Sequence, residues 1–240
     1  MRSIRETVTC LVACAVLMAC GGGKKSALPA RDSLAPGAPA SVTKTPSTPG
    51  NPAADAKRTV LFLGTSLTAG LGLEPDSAYP QQIQRKIDAR ALPYQAVNAG
   101  ESGETSAGLL RRLDWVLQNP AAVIVVETGA NDGLRGQSVD ATKATIGQIL
   151  TRIAKERPEA RVVLVQMEAP TNLGAEYTRA FHAMFPVLAK VHGVTLMPFL
   201  LDGVAGRAAL NQGDGMHPNL EGERKVTENV WRTLEPLLKP

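Results

Sequence analysis

Cysteine is confined to the start of this 240-residue chain: Cys10, Cys14 and Cys20 are its only three. Everything beyond Cys20 therefore lacks a thiol for a disulfide, a thiolate metal site or a cysteine nucleophile. Aromatic residues make up only 4%, too few to stack successive bases. An excess of one charge is missing as well, although the net charge is +4 and the isoelectric point about 9.1. Residues 1–56 hold six of the 26 basic residues and three of the 22 acidic ones, leaving 20 against 19 for the rest. No basic stripe remains to grip phosphates, which argues against a nucleic-acid partner. No apolar run reaches the roughly 18 residues of a membrane-spanning helix.

The first 56 residues read as an address and a tether. Arg2 and Arg5 precede the apolar run Thr7 to Ala19, a length suited to a signal-peptide core. The run ends in Leu17-Met18-Ala19-Cys20, followed by three glycines. This junction resembles a bacterial lipoprotein lipobox, which implies cleavage before Cys20 and lipidation of that cysteine; the plainer alternative is secretion with release. Residues 21–56 are rich in Pro, Ala, Gly, Ser and Thr without apolar periodicity, so they bury too little to offset the entropy of ordering. A random coil of that length reaches about 30 Å. The expected organisation is a signal peptide over 1–19, a lipidated tether over 20–56 and one domain over 57–240.

From Lys57 onward, short apolar runs alternate with longer amphipathic stretches. Val60–Gly64, Tyr94–Asn98, Ala122–Glu127, Val162–Met167 and Val194–Pro198 are continuously apolar or β-branched, the pattern of buried parallel strands. Helical spacing runs over about 79–91, 106–118, 139–156, 175–191 and 219–238. Five strands alternating with five helices predict a three-layer α/β/α sandwich around a doubly wound, flavodoxin-like parallel sheet. In such sheets the ligand site lies beyond the carboxyl ends of the strands.

The distinctive polar residues follow strand ends. The first strand leads into Gly64-Thr65-Ser66-Leu67-Thr68-Ala69-Gly70, placing Ser66 at a tight strand-to-helix turn. A serine there suits a nucleophile and equally suits an ordinary helix N-cap. The segment is not a phosphate-binding loop, because no Lys-Ser/Thr follows Gly70. Nor is it a dinucleotide fingerprint, since the third glycine is missing, or a nucleophile elbow, since Thr68 stands where glycine is required. After the second strand comes Asn98-Ala99-Gly100-Glu101-Ser102-Gly103, and after the third Thr128-Gly129-Ala130-Asn131-Asp132-Gly133. Gly100 can offer a backbone N–H and Asn131 a neutral amide to a developing oxyanion; both residue types are also ordinary turn formers. Near the C-terminus, Asp214 and His217 stand three apart on one loop before Pro218 and Asn219. One turn brings the carboxylate to the imidazole, fixing its tautomer. His182 and His192 have no acidic neighbour at useful spacing and read as partly buried or surface residues.

Taken together and in order, Ser66, Gly100, Asn131 and the Asp214/His217 pair resemble the four blocks of the SGNH (GDSL) hydrolase superfamily, across essentially all of residues 57–240. The likeness is strongest to its bacterial thioesterase, lysophospholipase and arylesterase branch, at residues 129–136 and 214–219. The resemblance implies a serine esterase without metal or cofactor: Ser66 as nucleophile, His217 as base, Asp214 as its partner, and Ser66, Gly100 and Asn131 around the oxyanion. The family usually has Asp immediately before the nucleophile, and here Thr65 stands there; the expectation is altered loop hydrogen bonding rather than lost catalysis. Leu71, Leu73, Leu134, Met167, Pro170 and Leu173 are expected to border an acyl groove, each being equally compatible with core packing. The implied substrates are short to medium acyl esters, thioesters or lysophospholipids. An O-acetyl esterase acting on envelope polysaccharide, or a non-catalytic binding lipoprotein, is the alternative. The expected setting is a monomer in the bacterial cell envelope, lipid-anchored and facing the periplasm or exterior.

Overall fold

The computed structural model describes residues 57–238. The expected signal peptide, Cys20 and the tether lie outside the described residues. Five strands form one sheet: β1 (Arg58–Gly64), β2 (Tyr94–Gly100), β3 (Val123–Val126), β4 (Arg161–Val165) and β5 (Thr195–Met197). The sheet order is β2-β1-β3-β4-β5 and every pairing is parallel. The expected five strands are all present, with ends shifted by up to two residues.

The continuous apolar runs are explained by burial on both faces: Val60 to Leu63 and Val123 to Val126 are at most 5% exposed. Among the described residues seven α-helices accompany the strands: α1 (Ser66–Ala69), α2 (Tyr79–Ala89), α3 (Ser106–Val116), α4 (Ala130–Leu134), α5 (Val139–Glu156), α6 (Ala175–His192) and α7 (Leu220–Leu234). Helix α2 packs on α7, while α3, α5 and α6 pack side by side, giving the two helical layers. In α5, Thr142, Ile146, Ile149, Leu150 and Ile153 repeat with helical period and are all buried. The last helix ends at Leu234 rather than 238, because Pro236 has no N–H to continue the ladder; a 3₁₀ turn over Glu235–Leu237 follows.

The two helices not expected from periodicity, α1 and α4, are the short ones. Each begins immediately beyond a strand on either side of the point where the chain reverses direction across the sheet, after β1 and after β3. That reversal opens the crevice where doubly wound sheets hold ligands.

Candidate active site

One wall of the site is the turn between β1 and α1. Thr65 has extended backbone angles and caps α1, its hydroxyl oxygen accepting from the Leu67 N–H at 3.4 Å. Ser66 is the first helical residue, so its own N–H has no partner within the helix. Gly64 is required for this turn. A side-chain carbon there would collide with the Thr68 hydroxyl and come within 2.7 Å of the Glu127 carboxylate.

The facing wall is the loop before α7. Its Gln212 N–H donates to the His217 carbonyl at 2.7 Å and its Gly215 N–H to the Gln212 carbonyl at 2.9 Å, and Asn211 bridges Pro218. Gln212 Nε2 ties the loop to the Leu71 carbonyl at 2.7 Å. Asn219 anchors its far end, with Oδ1 accepting from the N–H groups of Glu221 and Gly222. Gly222 lets the first turn of α7 press on the Leu210 carbonyl, where any side chain would collide. His217 is thereby held between a tight loop and a capped helix.

The two walls meet at hydrogen-bonding distance. His217 Nε2 is 2.9 Å from Ser66 Oγ, and His217 Nδ1 is 2.6 Å from Asp214 Oδ2. An ionised carboxylate can only accept, so Nδ1 carries the proton and Nε2 of the neutral ring accepts from the serine hydroxyl. Asp214 Oδ1 also accepts from the N–H groups of Met216 and His217, at 2.9 and 3.0 Å. The His217 ring hydrogen bond, then these backbone donors, hold the Asp214 carboxyl well below the usual carboxylate range although it faces solvent.

The donors around this serine differ in part from expectation. Asn131 lines the groove, and its Nδ2 donates to the Glu104 carbonyl at 2.9 Å, fixing the amide while leaving its second N–H free. Gly100 is a correction: its N–H donates to Asn98 Oδ1 at 2.9 Å, and it does not line the groove. Its small size serves packing instead, since a side chain would collide with the Ala69 nitrogen and lie 2.9 Å from the Thr65 carbonyl. Gly103 lines the groove in its place, at φ +78°, and its N–H meets no acceptor among the described residues. Arg135 holds the Gly103 carbonyl at 3.0 Å, and Arg112 makes a two-pronged pair with Glu104, both bonds at 2.7 Å.

A groove of about 790 Å³ opens from Ser66 and His217. Leu71, Leu134, Met167 and Pro170 line it as expected. Leu173 and Leu73 do not; Leu173 closes the 3₁₀ turn Thr171–Leu173 and faces Gly136. Phe199, Leu201 and Met216 line it unforeseen. The available signal was position, the first two falling shortly after β5 and Met216 beside His217. His182 is a surface residue, as expected, and its Nδ1 lies 2.7 Å from Glu168 Oε1, a partner 14 residues away that linear spacing concealed.

Comparison with known proteins agrees with this arrangement. The model of the GDSL-like lipase/acylhydrolase family matches residues 62–225. Esterase TesA of Pseudomonas aeruginosa is 39% identical over 186 residues, covering 76% of this chain and 90% of that protein. Thioesterase 1/protease 1/lysophospholipase L1 of Escherichia coli K12 is 36% identical, covering 77% and 87%. Among solved structures, the psychrotrophic esterase EstA from Pseudoalteromonas sp., inhibited by monoethylphosphonate, superimposes with a TM-score of 0.72 at 31% identity. That match covers 76% of this chain and 99% of EstA. Five parallel strands at the expected positions, a serine, histidine and aspartate joined by hydrogen bonds, and these relatives lead to one conclusion: the chain belongs to the GDSL-like lipase/acylhydrolase family and is a serine ester hydrolase.

Proposed function

We propose that this enzyme hydrolyses small carboxylic esters and thioesters, lysophospholipids and aryl esters among them, through an acyl-Ser66 intermediate. The observation that carries the proposal is the continuous chain Asp214 Oδ2, His217, Ser66 Oγ, with bonds of 2.6 and 2.9 Å, at the mouth of an apolar groove. His217 Nε2 takes the hydroxyl proton as Ser66 Oγ bonds to the substrate carbonyl carbon. Asp214 steadies the imidazolium. The carbonyl oxygen becomes an anion, received by the N–H groups of Ser66 and Gly103 and the free N–H of Asn131. The imidazolium then protonates the leaving alcohol or thiol as its bond to carbon breaks. Water repeats the sequence on the acyl-enzyme, releasing the acid and restoring Ser66. The two curated relatives, named as an esterase and as a thioesterase/protease/lysophospholipase, support this substrate range.

The test is a panel of p-nitrophenyl esters from acetyl to palmitoyl, beside acetylated sugar. The wild-type enzyme should prefer short to medium chains, and Ser66→Ala should fall to background. A preference for acetylated sugar would reassign the substrate to polysaccharide, and wild-type rates in Ser66→Ala would overturn the serine mechanism. The proposal extends to location: the Leu17–Cys20 junction supports an enzyme lipid-anchored at Cys20 in the bacterial envelope. Cys20→Ala should release it from the membrane fraction, and retention there would refute the anchor.

A further inference from the structure

Among the buried acids that the mechanism leaves unused, Glu127 lies nearest the nucleophile turn. Glu127 follows β3, is fully buried, and lies directly beneath the nucleophile turn. Its Oε2 accepts from the Thr65 N–H at 2.7 Å, the Thr65 hydroxyl at 2.9 Å and the Thr68 hydroxyl at 3.0 Å. Thr68 in turn accepts from the Tyr79 hydroxyl at 2.8 Å, and Tyr79 is itself fully buried. These donors come from the residue before Ser66 and the residue two after it, so one acceptor grips the turn on both sides of the nucleophile. Burial pushes the Glu127 carboxyl up from its ordinary value, and the hydrogen bonds from Thr65 and Thr68 oppose that rise.

The Thr65 N–H makes the shortest of these contacts. It is a buried backbone donor at a helix start, where no helical partner exists, and leaving it unpaired is costly. The carboxylate satisfies it and fixes the peptide that leads directly into Ser66. The position of Ser66 Oγ, 2.9 Å from His217, is thus set from the strand side by a residue that never faces the substrate groove. Thr65, standing where the family usually has Asp, takes part as a donor: its hydroxyl turns toward Glu127 instead of adding a second carboxylate beside it.

We propose that Glu127 is a positioning residue for acylation, holding the Thr65–Thr68 turn so that the Ser66 hydroxyl meets His217 in line for attack. This rests on Ser66 being the nucleophile, as proposed above. Glu127→Leu removes the acceptor at similar volume, whereas Glu127→Gln keeps an acceptor for the Thr65 N–H and can donate its amide to the Thr65 hydroxyl.

The experiment is active-site titration with a fluorophosphonate followed by p-nitrophenyl acetate kinetics per titrated serine, on wild type and both variants. A merely structural residue changes the number of titratable sites and leaves kcat per site alone. The proposal predicts that E127L lowers kcat per site by about 10²-fold with KM within about twofold, and that E127Q restores kcat to within about fivefold of wild type. E127L at wild-type kcat per site, or E127Q falling as far as E127L, overturns it. Should E127L not fold, Thr65→Val decides: it keeps the backbone donor, loses the hydroxyl and should lower kcat per site several-fold, while unchanged kcat overturns the proposal. A wild-type enzyme with no titratable serine would instead defeat the reading of Ser66 itself.

Discussion

The two halves of this active site are built in opposite ways. The serine half is part of the core: Thr65 and Ser66 are 1% and 8% exposed, and their turn is held by Glu127, 62 residues away in the chain. The histidine half is a surface loop, its Asp214 side chain 41% exposed, held mostly by bonds that span two to five residues. The proposed nucleophile, Ser66, therefore inherits its precision from strand packing. The base obtains its own from a short self-bonded loop and a capped helix. A defect in the first half should disturb folding and catalysis together, and a defect in the second should disturb catalysis alone.

Substitutions rank by how directly they break that contrast. Asp214→Asn should lower kcat by about 10²- to 10⁴-fold, because the amide no longer specifies the tautomer, while the melting temperature stays close to wild type; stopped assays and thermal melts check both halves of that statement. A large loss of stability would show that the loop supports the fold. Asn131→Ala should cost about 10²- to 10³-fold in kcat by removing one oxyanion donor. Gly100→Ala strikes the serine half and should disturb both properties: its collision with the Ala69 nitrogen and the Thr65 carbonyl should destabilise the protein by about 3 kcal/mol, measurable by urea unfolding, and lower kcat per titrated serine by shifting the turn that carries Ser66.

The smallest expected effect concerns Glu223, buried at the start of α7, whose carboxyl burial pushes up to about 8. A carboxyl with a raised folded pKa binds its proton more tightly in the native state. Its contribution to stability is therefore full at low pH and is lost as pH rises from the ordinary carboxyl range through about 8. Glu223→Gln keeps an acceptor for the Tyr79 N–H, so it should flatten the fall in melting temperature toward pH 9 and raise it there by about 5 °C. An unchanged pH profile would show that Glu223 titrates normally.

What could be read from the sequence follows the same division. Strand positions were legible because parallel strands buried on both faces are continuously apolar, and Asp214 with His217 because their contact is local. Contacts across the sheet were not. Thr65 with Glu127 and His182 with Glu168 join residues from separate elements, and no spacing rule connects them. The choice between Gly100 and Gly103 turned on a single side chain. Both glycines stand in one motif, and only the fold reveals that Asn98 bends back to occupy the Gly100 N–H. Leu173 misled for a related reason, since a leucine after a strand can close a turn as readily as line a groove. The short helices α1 and α4 lack the length for periodicity and were visible only as turn residues.

The central claim is that Ser66 is activated by His217 across the crevice. Mass spectrometry of the protein after brief exposure to a fluorophosphonate tests it most directly. A single adduct is expected on the peptide containing Ser66, with its near absence in His217→Ala under the same exposure. An adduct on another residue, or undiminished labelling of Ser66 without His217, would contradict it.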